Sequence, residues 1–428
     1  MRLRAMPTLM LITFLLLGSL QFHPARSQGQ ETVLLDAPWW ATQGNSQTAQ
    51  EIELQVEYSF GERLIFSGKI PEEMPVLRAV IFLQVEAELH TRSLEADISD
   101  FGDFAGVYDL VQQPIRAFSQ VDYWVEATLA NGDSYTSPQR SFFYTDNRYQ
   151  WLERKAGEFR VFWYDGDAIF AQNLLDVAAE GLQNAQELLQ LKLEDGVDIY
   201  AYSSAQEMRA ALQTRGQNWV GAHSDPDLGV MVISLPEGPE QRLEMERQIP
   251  HELMHILLYQ KLGAGYDNLP VWLNEGLASM AELYPNPDYL ILLGKASQNE
   301  AFLPIETLCQ GFPRDASGAY LAYAQATSFT RFLFQRFGSS SMGQLIANYA
   351  QGMDCPRGVQ ATFSESLPQL DRQWRREAFG ENALFSAFGK LLPWLLLMAA
   401  VMSIPLLLIF ISRSRSPTSQ ESVRHARR

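Results

Sequence analysis

The sequence predicts an α+β chain in three parts: an N-terminal β-sandwich, a mainly helical domain with a small sheet, and a C-terminal transmembrane helix. Three observations carry this expectation. Between about residue 31 and residue 146, apolar and polar side chains alternate at the period of a strand. From about residue 148 the apolar spacing becomes that of helices, interrupted by short β-branched runs. Near the C-terminus, Leu391 to Ile411 contains no charged residue, and at about 1.5 Å per residue it matches the roughly 30 Å of a bilayer's hydrocarbon.

The two ends are read first because neither belongs to the globular fold. At the N-terminus Arg2 and Arg4 precede an apolar run from Met6 to Leu20, and Ala25-Arg26-Ser27 offers small residues at cleavage spacing. Residues 1–27 therefore read as a secretory signal. The C-terminal span, residues 390–412, is followed by Arg413, Arg415, Arg424, Arg427 and Arg428, which places the basic tail 413–428 in the cytoplasm. Pro393 and Pro405 are tolerable in a membrane helix, and Trp394 suits an interface. The expectation is a single-pass cell-membrane protein with its N-terminal bulk outside.

The net charge of −17 falls on the segment between two basic ends, which is therefore more acidic still. Nucleic acid and anionic membrane surfaces attract basic faces, so neither is expected as its main partner. Cys309 and Cys355 are the only cysteines. Outside the cytoplasm a disulfide between them persists, and closing a loop of about 46 residues stabilises by about 4 kcal/mol in the chain-entropy model. Two buried free thiols are the alternative. No Asn-x-Ser/Thr sequon occurs.

The expected sandwich occupies residues 28–147. "EIELQVEYSF" puts Ile52, Leu54, Val56, Tyr58 and Phe60 on one face and Glu51, Glu53, Gln55, Glu57 and Ser59 on the other. A second strand is expected at Leu77 to Val85. In "VDYWVEATLANGDSYTSPQRSFFYTD" the alternation returns at Tyr123, Val125, Ala127 and Leu129, and Asn131-Gly132 tolerates the positive φ of a tight hairpin. Over some 30 residues this hairpin resembles the end of a fibronectin type III-like domain.

The second domain is expected over residues 148–385. "IFAQNLLDVAAEGLQNAQELLQL" is apolar at helical spacing, "GVDIYAYSS" reads as a strand and "AQEMRAALQTRG" as a helix. "LGVMVISLP" reads as another strand, open to pairing with an extended peptide, and Met245 to about Arg375 reads as mainly helical.

Within that helical stretch, "IPHELMHILLYQ" sets His251 and His255 one helical turn apart with Glu252 beside the first. Residues i and i+4 share a helix face, so both imidazoles can reach one cation. Glu275 lies in "LPVWLNEGLASMAELY", separated from His255 by nineteen residues that include the reversal "LGAGYDN". Pro270 suits the first turn of an antiparallel return helix that would bring Glu275 to the histidines. Two histidines, a glutamate and a water form an open, catalytic zinc geometry; closed structural sites use four protein ligands.

"HELMH" followed by "WLNEGLASMAE" resembles the gluzincin metallopeptidases, which include thermolysin and the zinc aminopeptidases, and most closely the bacterial peptidase MA-like domain. The resemblance covers roughly 148–375, including "YAQATSFTRFLFQRFG". It implies one Zn²⁺ per chain held by His251, His255 and Glu275, with Glu252 as general base, peptide or protein as substrate, and Tyr323 as oxyanion donor. Tyr320, three residues away, is the competing phenol. Asn274 and Glu282 match supporting positions of "NEGxASxxE". His223, in "WVGAHSDPD", reads as a loop histidine able to touch substrate. Two departures stand out. Pro250 sits where the family continues its helix, so here the helix starts or kinks. The segment that marks true aminopeptidases is also replaced by "GAHSDPDLGVMVIS", so aminopeptidase specificity is not implied. The expectation is a membrane-anchored extracytoplasmic zinc metallopeptidase; the alternative is a binding or assembly protein of the cell envelope that keeps the fold without turnover.

Overall fold

A computed structural model describes residues 51–212, 221–380, 391–399 and 401. Eight strands come first: β1 (Glu53–Ser59), β2 (Arg63–Lys69), β3 (Val76–Val85), β4 (Thr91–Ile98), β5 (Asp103–Asp109), β6 (Ser119–Leu129), β7 (Ser134–Thr136) and β8 (Arg140–Tyr144). They form one sheet in the order β1-β2-β5-β4-β3-β6-β7, with β8 also paired to β6. Two facing layers result, as the Phe66 ring of β2 lying 5.6 Å from that of Tyr123 on β6 shows. The expected sandwich would have two separate sheets. Here β4 joins them, pairing with β3 through Thr91 to Ala96 and with β5 through Asp97 and Ile98. The alternation read from the sequence fills the core: Ile52, Leu54, Phe60, Ile81, Leu83, Val125 and Ala127 are all buried. Gly132 turns the β6-β7 hairpin at φ 88°, in the left-handed region that glycine enters without cost.

The second region opens with β9 (Leu152–Ala156) and β10 (Phe159–Trp163), then α1 (Ala168–Leu189), β11 (Val197–Tyr202), α2 (Ala205–Ala211), β12 (Ala222–Asp225) and β13 (Val230–Ser234). The five strands order as β12-β13-β11-β10-β9, so β13 is flanked on both sides and cannot accept an added strand; β12 is the end strand. Strands β9, β10 and β12 were not legible as strands. The first is wholly exposed, and the last spans four residues of mixed polarity, too short for a period.

At β13 the sheet is buried on both faces, which is why that strand reads as an apolar run. Val161, Ile199, Ala201, Met231 and Ile233 pack among the helices. Tyr200, Tyr202, Val230 and Val232 pack into the core of the N-terminal strands. On that second face the Tyr202 hydroxyl is satisfied: it donates to Asp146 Oδ2 at 2.8 Å, and Arg148 donates to the same oxygen at 2.6 Å.

The helices that follow are α3 (Gln241–Leu262), a 3-10 turn at Gly263–Asn268, α4 (Val271–Ala281), α5 (Asp288–Gln298), α6 (Ala316–Ala350), α7 (Cys355–Phe363) and α8 (Leu367–Phe379). Helix α6 breaks at Gly338, whose φ is 78°. A Cys309–Cys355 disulfide ties the segment before α6 to the first residue of α7. Trp272, at the start of α4, donates its indole N–H to Cys355 Sγ at 3.3 Å.

The signal segment 1–27 lies outside the described residues, as do the tail and most of the membrane span. Residues 391–399 are helical and exposed. Among the described residues no helix is long and apolar enough to cross a membrane.

Candidate metal centre

Helix α3 neither starts nor ends at Pro250; it begins at Gln241 and runs through the proline. Proline lacks the N–H that would bond the carbonyl four residues back, so the Glu246 carbonyl is released. It accepts instead from Leu283 N–H at 2.9 Å. The proline thereby ties the residues just after α4 to α3, beside Glu282 and its partner His251. On its other side Pro250 packs against Gly181 of α1, where an added Cβ would approach the ring to 3.1 Å.

The 3-10 turn reverses the chain, and α4 returns along α3. One donor atom each from His251, His255 and Glu275 lies within 4.8 Å of the others. His251 Nε2 is 3.4 Å and His255 Nε2 3.8 Å from Glu275 Oε2. The other ring nitrogens are occupied. His251 Nδ1 is 3.2 Å from Glu282 Oε1, and His255 Nδ1 is 3.2 Å from Asn274 Oδ1 and 3.1 Å from the Tyr266 hydroxyl. Asn274 Nδ2 in turn donates to that hydroxyl at 2.9 Å. A ring that donates its Nδ1 proton keeps the Nε2 lone pair for a cation. Two imidazole nitrogens, each ring oriented from behind, and one carboxylate thus fit a divalent metal ion.

The charges agree with this arrangement. Burial acts to lower the His251 pKa, yet the Glu275 and Glu282 carboxylates carry it well above the ordinary imidazole value. Burial acts to raise Glu275, but His251 and His255 hold it below the usual carboxylate range. The carboxylates thus draw positive charge to His251 Nε2, the place a bound cation would take from the proton.

Glu252 is buried on the same helix, and its Oε2 accepts a 2.6 Å hydrogen bond from Ser224 Oγ on β12. Sequence reasoning missed Ser224 because nothing in the chain signals that β12 lies against α3. His223 is on β12 as well, not in a loop; its Nε2 is 3.5 Å from Asp225 Oδ1. Tyr266 was likewise missed, since a tyrosine in a reversal carries no pattern.

The two phenols separate clearly. The Tyr323 ring centroid is 6.5 Å from that of His251, and the charge of Glu275, then burial and Glu252, keep the phenol protonated far above its usual range. Tyr320 is 38% exposed and accepts from Asn286 Nδ2. Both border a cleft of about 660 Å³ that also touches His251, Glu252, Glu282 and Tyr289.

Residues 177–380 match the family model of the Peptidase MA superfamily. No curated protein matches the chain. Among solved structures, a mutant M1 zinc metallopeptidase from Deinococcus radiodurans is similar at 13% identity over 76% of this chain and 94% of its own, with a TM-score of 0.32. The fn3 domain of human collagen alpha-1(XX) is similar at 12% identity over 26% of this chain and 93% of its own, with a TM-score of 0.19.

Proposed function

We propose that this chain, which carries a peptidase MA-like domain over residues 177–380, is a zinc metallopeptidase of the gluzincin kind that hydrolyses peptide bonds. The observation that carries the proposal is the convergence of His251, His255 and Glu275, with His251 and the neighbouring Glu252 lining one cleft. In this reading His251, His255 and Glu275 hold one Zn²⁺ per chain, a three-ligand set that leaves a position for water. When bound, the ion would supply Lewis acidity toward a carbonyl and acidify water.

The chain's own residues do the rest. Ser224 occupies Glu252 Oε2, which leaves Oε1 to take a proton from water and return it to the leaving amine. Tyr323 retains its proton and donates to the carbonyl oxygen as negative charge develops there. Strand β12, at the end of its sheet, offers its outer edge to an extended peptide. A binding protein without turnover is the second reading, but it has no use for a buried, oriented Glu252.

The same proposal keeps the chain as a single-pass membrane protein. A signal (1–27) is followed by an N-terminal β domain (28–147), the peptidase domain (148–385), a membrane helix (390–412) and a cytoplasmic tail. A tag after Arg428 then stays protected from protease added outside intact cells; its cleavage from outside reverses the orientation.

Metal analysis and a peptide-library assay on the purified full-length chain, with and without chelator, test the function. One zinc per chain and chelator-sensitive hydrolysis are expected. Metal-free protein, or hydrolysis indifferent to chelator, contradicts the proposal.

A further inference from the structure

Strand β12 faces two ways. In an antiparallel pair, residues opposite each other share a face, and Ser224 lies opposite Met231, which packs among the helices. His223 and Asp225 lie opposite Val232 and Val230, which pack into the core of the N-terminal strands. One face of the strand therefore reaches Glu252 and the other reaches the β region.

On that other face stands Arg116, in the connection between β5 and β6. Its Nη2 donates to Asp225 Oδ1 at 2.7 Å, and its Nη1 donates to Asp227 Oδ2 at 2.6 Å; Nη2 also reaches Asp227 Oδ1. The guanidinium and both carboxylates are largely buried. Its own segment is held firmly: Ser119 Oγ donates to the Arg116 carbonyl at 2.7 Å, and the Phe118 ring packs at a tilt with its centroid 4.0 Å from that of Tyr200 on β11. A planar fork engaging two carboxylates fixes orientation as well as charge. Removing it would leave Asp227 without its guanidinium and Asp225 with His223 alone, close together and largely buried in the turn from β12 to β13. End strand β12 has one partner strand, so this clamp bears on where Ser224 stands.

The geometry points to Arg116 as a positioning residue for Glu252: from the N-terminal β region it clamps Asp225 and Asp227, sets β12, and so aims the Ser224 hydroxyl at the Glu252 carboxylate. The N-terminal strands are then part of the catalytic unit rather than a tethered accessory. This inference rests on the peptidase reading of Glu252.

The test uses the full-length chain with two readouts, hydrogen–deuterium exchange over residues 221–230 and steady-state hydrolysis. Arg116→Ala is expected to speed exchange in this hairpin by about tenfold or more and to lower kcat by about tenfold, with KM and zinc content unchanged. Arg116→Lys restores part of both. Ser224→Ala lowers kcat similarly without faster exchange, and the Arg116→Ala/Ser224→Ala double variant is no slower than the worse single, since both act through one hydrogen bond. Arg78→Ala, which removes an exposed ion pair with Glu95 on the same β region, changes neither readout. If Arg116→Ala does not fold, Asp227→Asn, which loosens half of the grip, is expected to move both readouts in the same direction.

Unchanged exchange overturns the clamp. Faster exchange with unchanged kcat, or additive kcat losses in the double variant, overturns the coupling to Glu252. A wild-type chain that hydrolyses nothing defeats the peptidase reading, and the catalytic inference with it, while the exchange result still decides the clamp.

Discussion

The two sides of the cleft are built differently. On the α3–α4 side, His251, His255 and Glu275 converge, and each imidazole is held from behind by Glu282 or by Asn274 and Tyr266. The opposite side is more lightly built: β12 supplies the one hydroxyl partner of Glu252, which itself stands on α3, and α6 carries Tyr323, held by burial and ring contacts. In the proposed reading, this difference makes metal binding and turnover separable. The first is a property of one helical hairpin, while the second needs a strand and a distant helix brought to it.

The largest effect should follow an attack on the hairpin. His255→Ala removes a ligand with two supporting bonds behind it, so both zinc and hydrolysis are expected to vanish together. Undiminished zinc after that change would break the distinction at its root. Next comes Tyr323→Phe, which should lower kcat by about 10²-fold, as loss of one oxyanion donor does, with KM and zinc content little changed. Tyr320→Phe, on an exposed phenol, should leave kcat alone; the reverse ranking would move the donor by one turn. The smallest effect is expected of Asn274→Ala, which leaves Tyr266 behind His255 and should weaken zinc affinity by about tenfold, at the low end for such supporting residues, without changing kcat of the loaded enzyme. A kcat loss at saturating zinc would show that the two sides are not independent.

That same division governs how much the sequence reveals. The hairpin was legible because helical periodicity turns spacing into geometry: positions 251 and 255 share a face, and Pro270 marks the return that delivers Glu275. The alternation from Ile52 to Phe60 was legible for the same kind of reason, and β13 was legible as a strand from its β-branched apolar content, though not as an inner one. Ser224 was not, because its bond to Glu252 depends on which strand ends the sheet, a tertiary fact with no local period. Pro250 read as a start or kink because proline removes an intrahelical bond; only the fold supplies Leu283 as the replacement donor. Arg116 was hidden more deeply still, since its two carboxylates lie about 110 residues away along the chain and its meaning depends on how the β region docks.

The central claim is that Glu252 acts on a metal site it does not build. Glu252→Gln preserves size and the Ser224 contact while removing the base, so the measurement is zinc content and peptide hydrolysis of this variant beside the wild-type chain. One zinc per chain in both, with hydrolysis in the variant lower by about a hundredfold or more, is the predicted result. Hydrolysis undiminished in the variant, or wild type and variant equally inert on a broad peptide library, would contradict it.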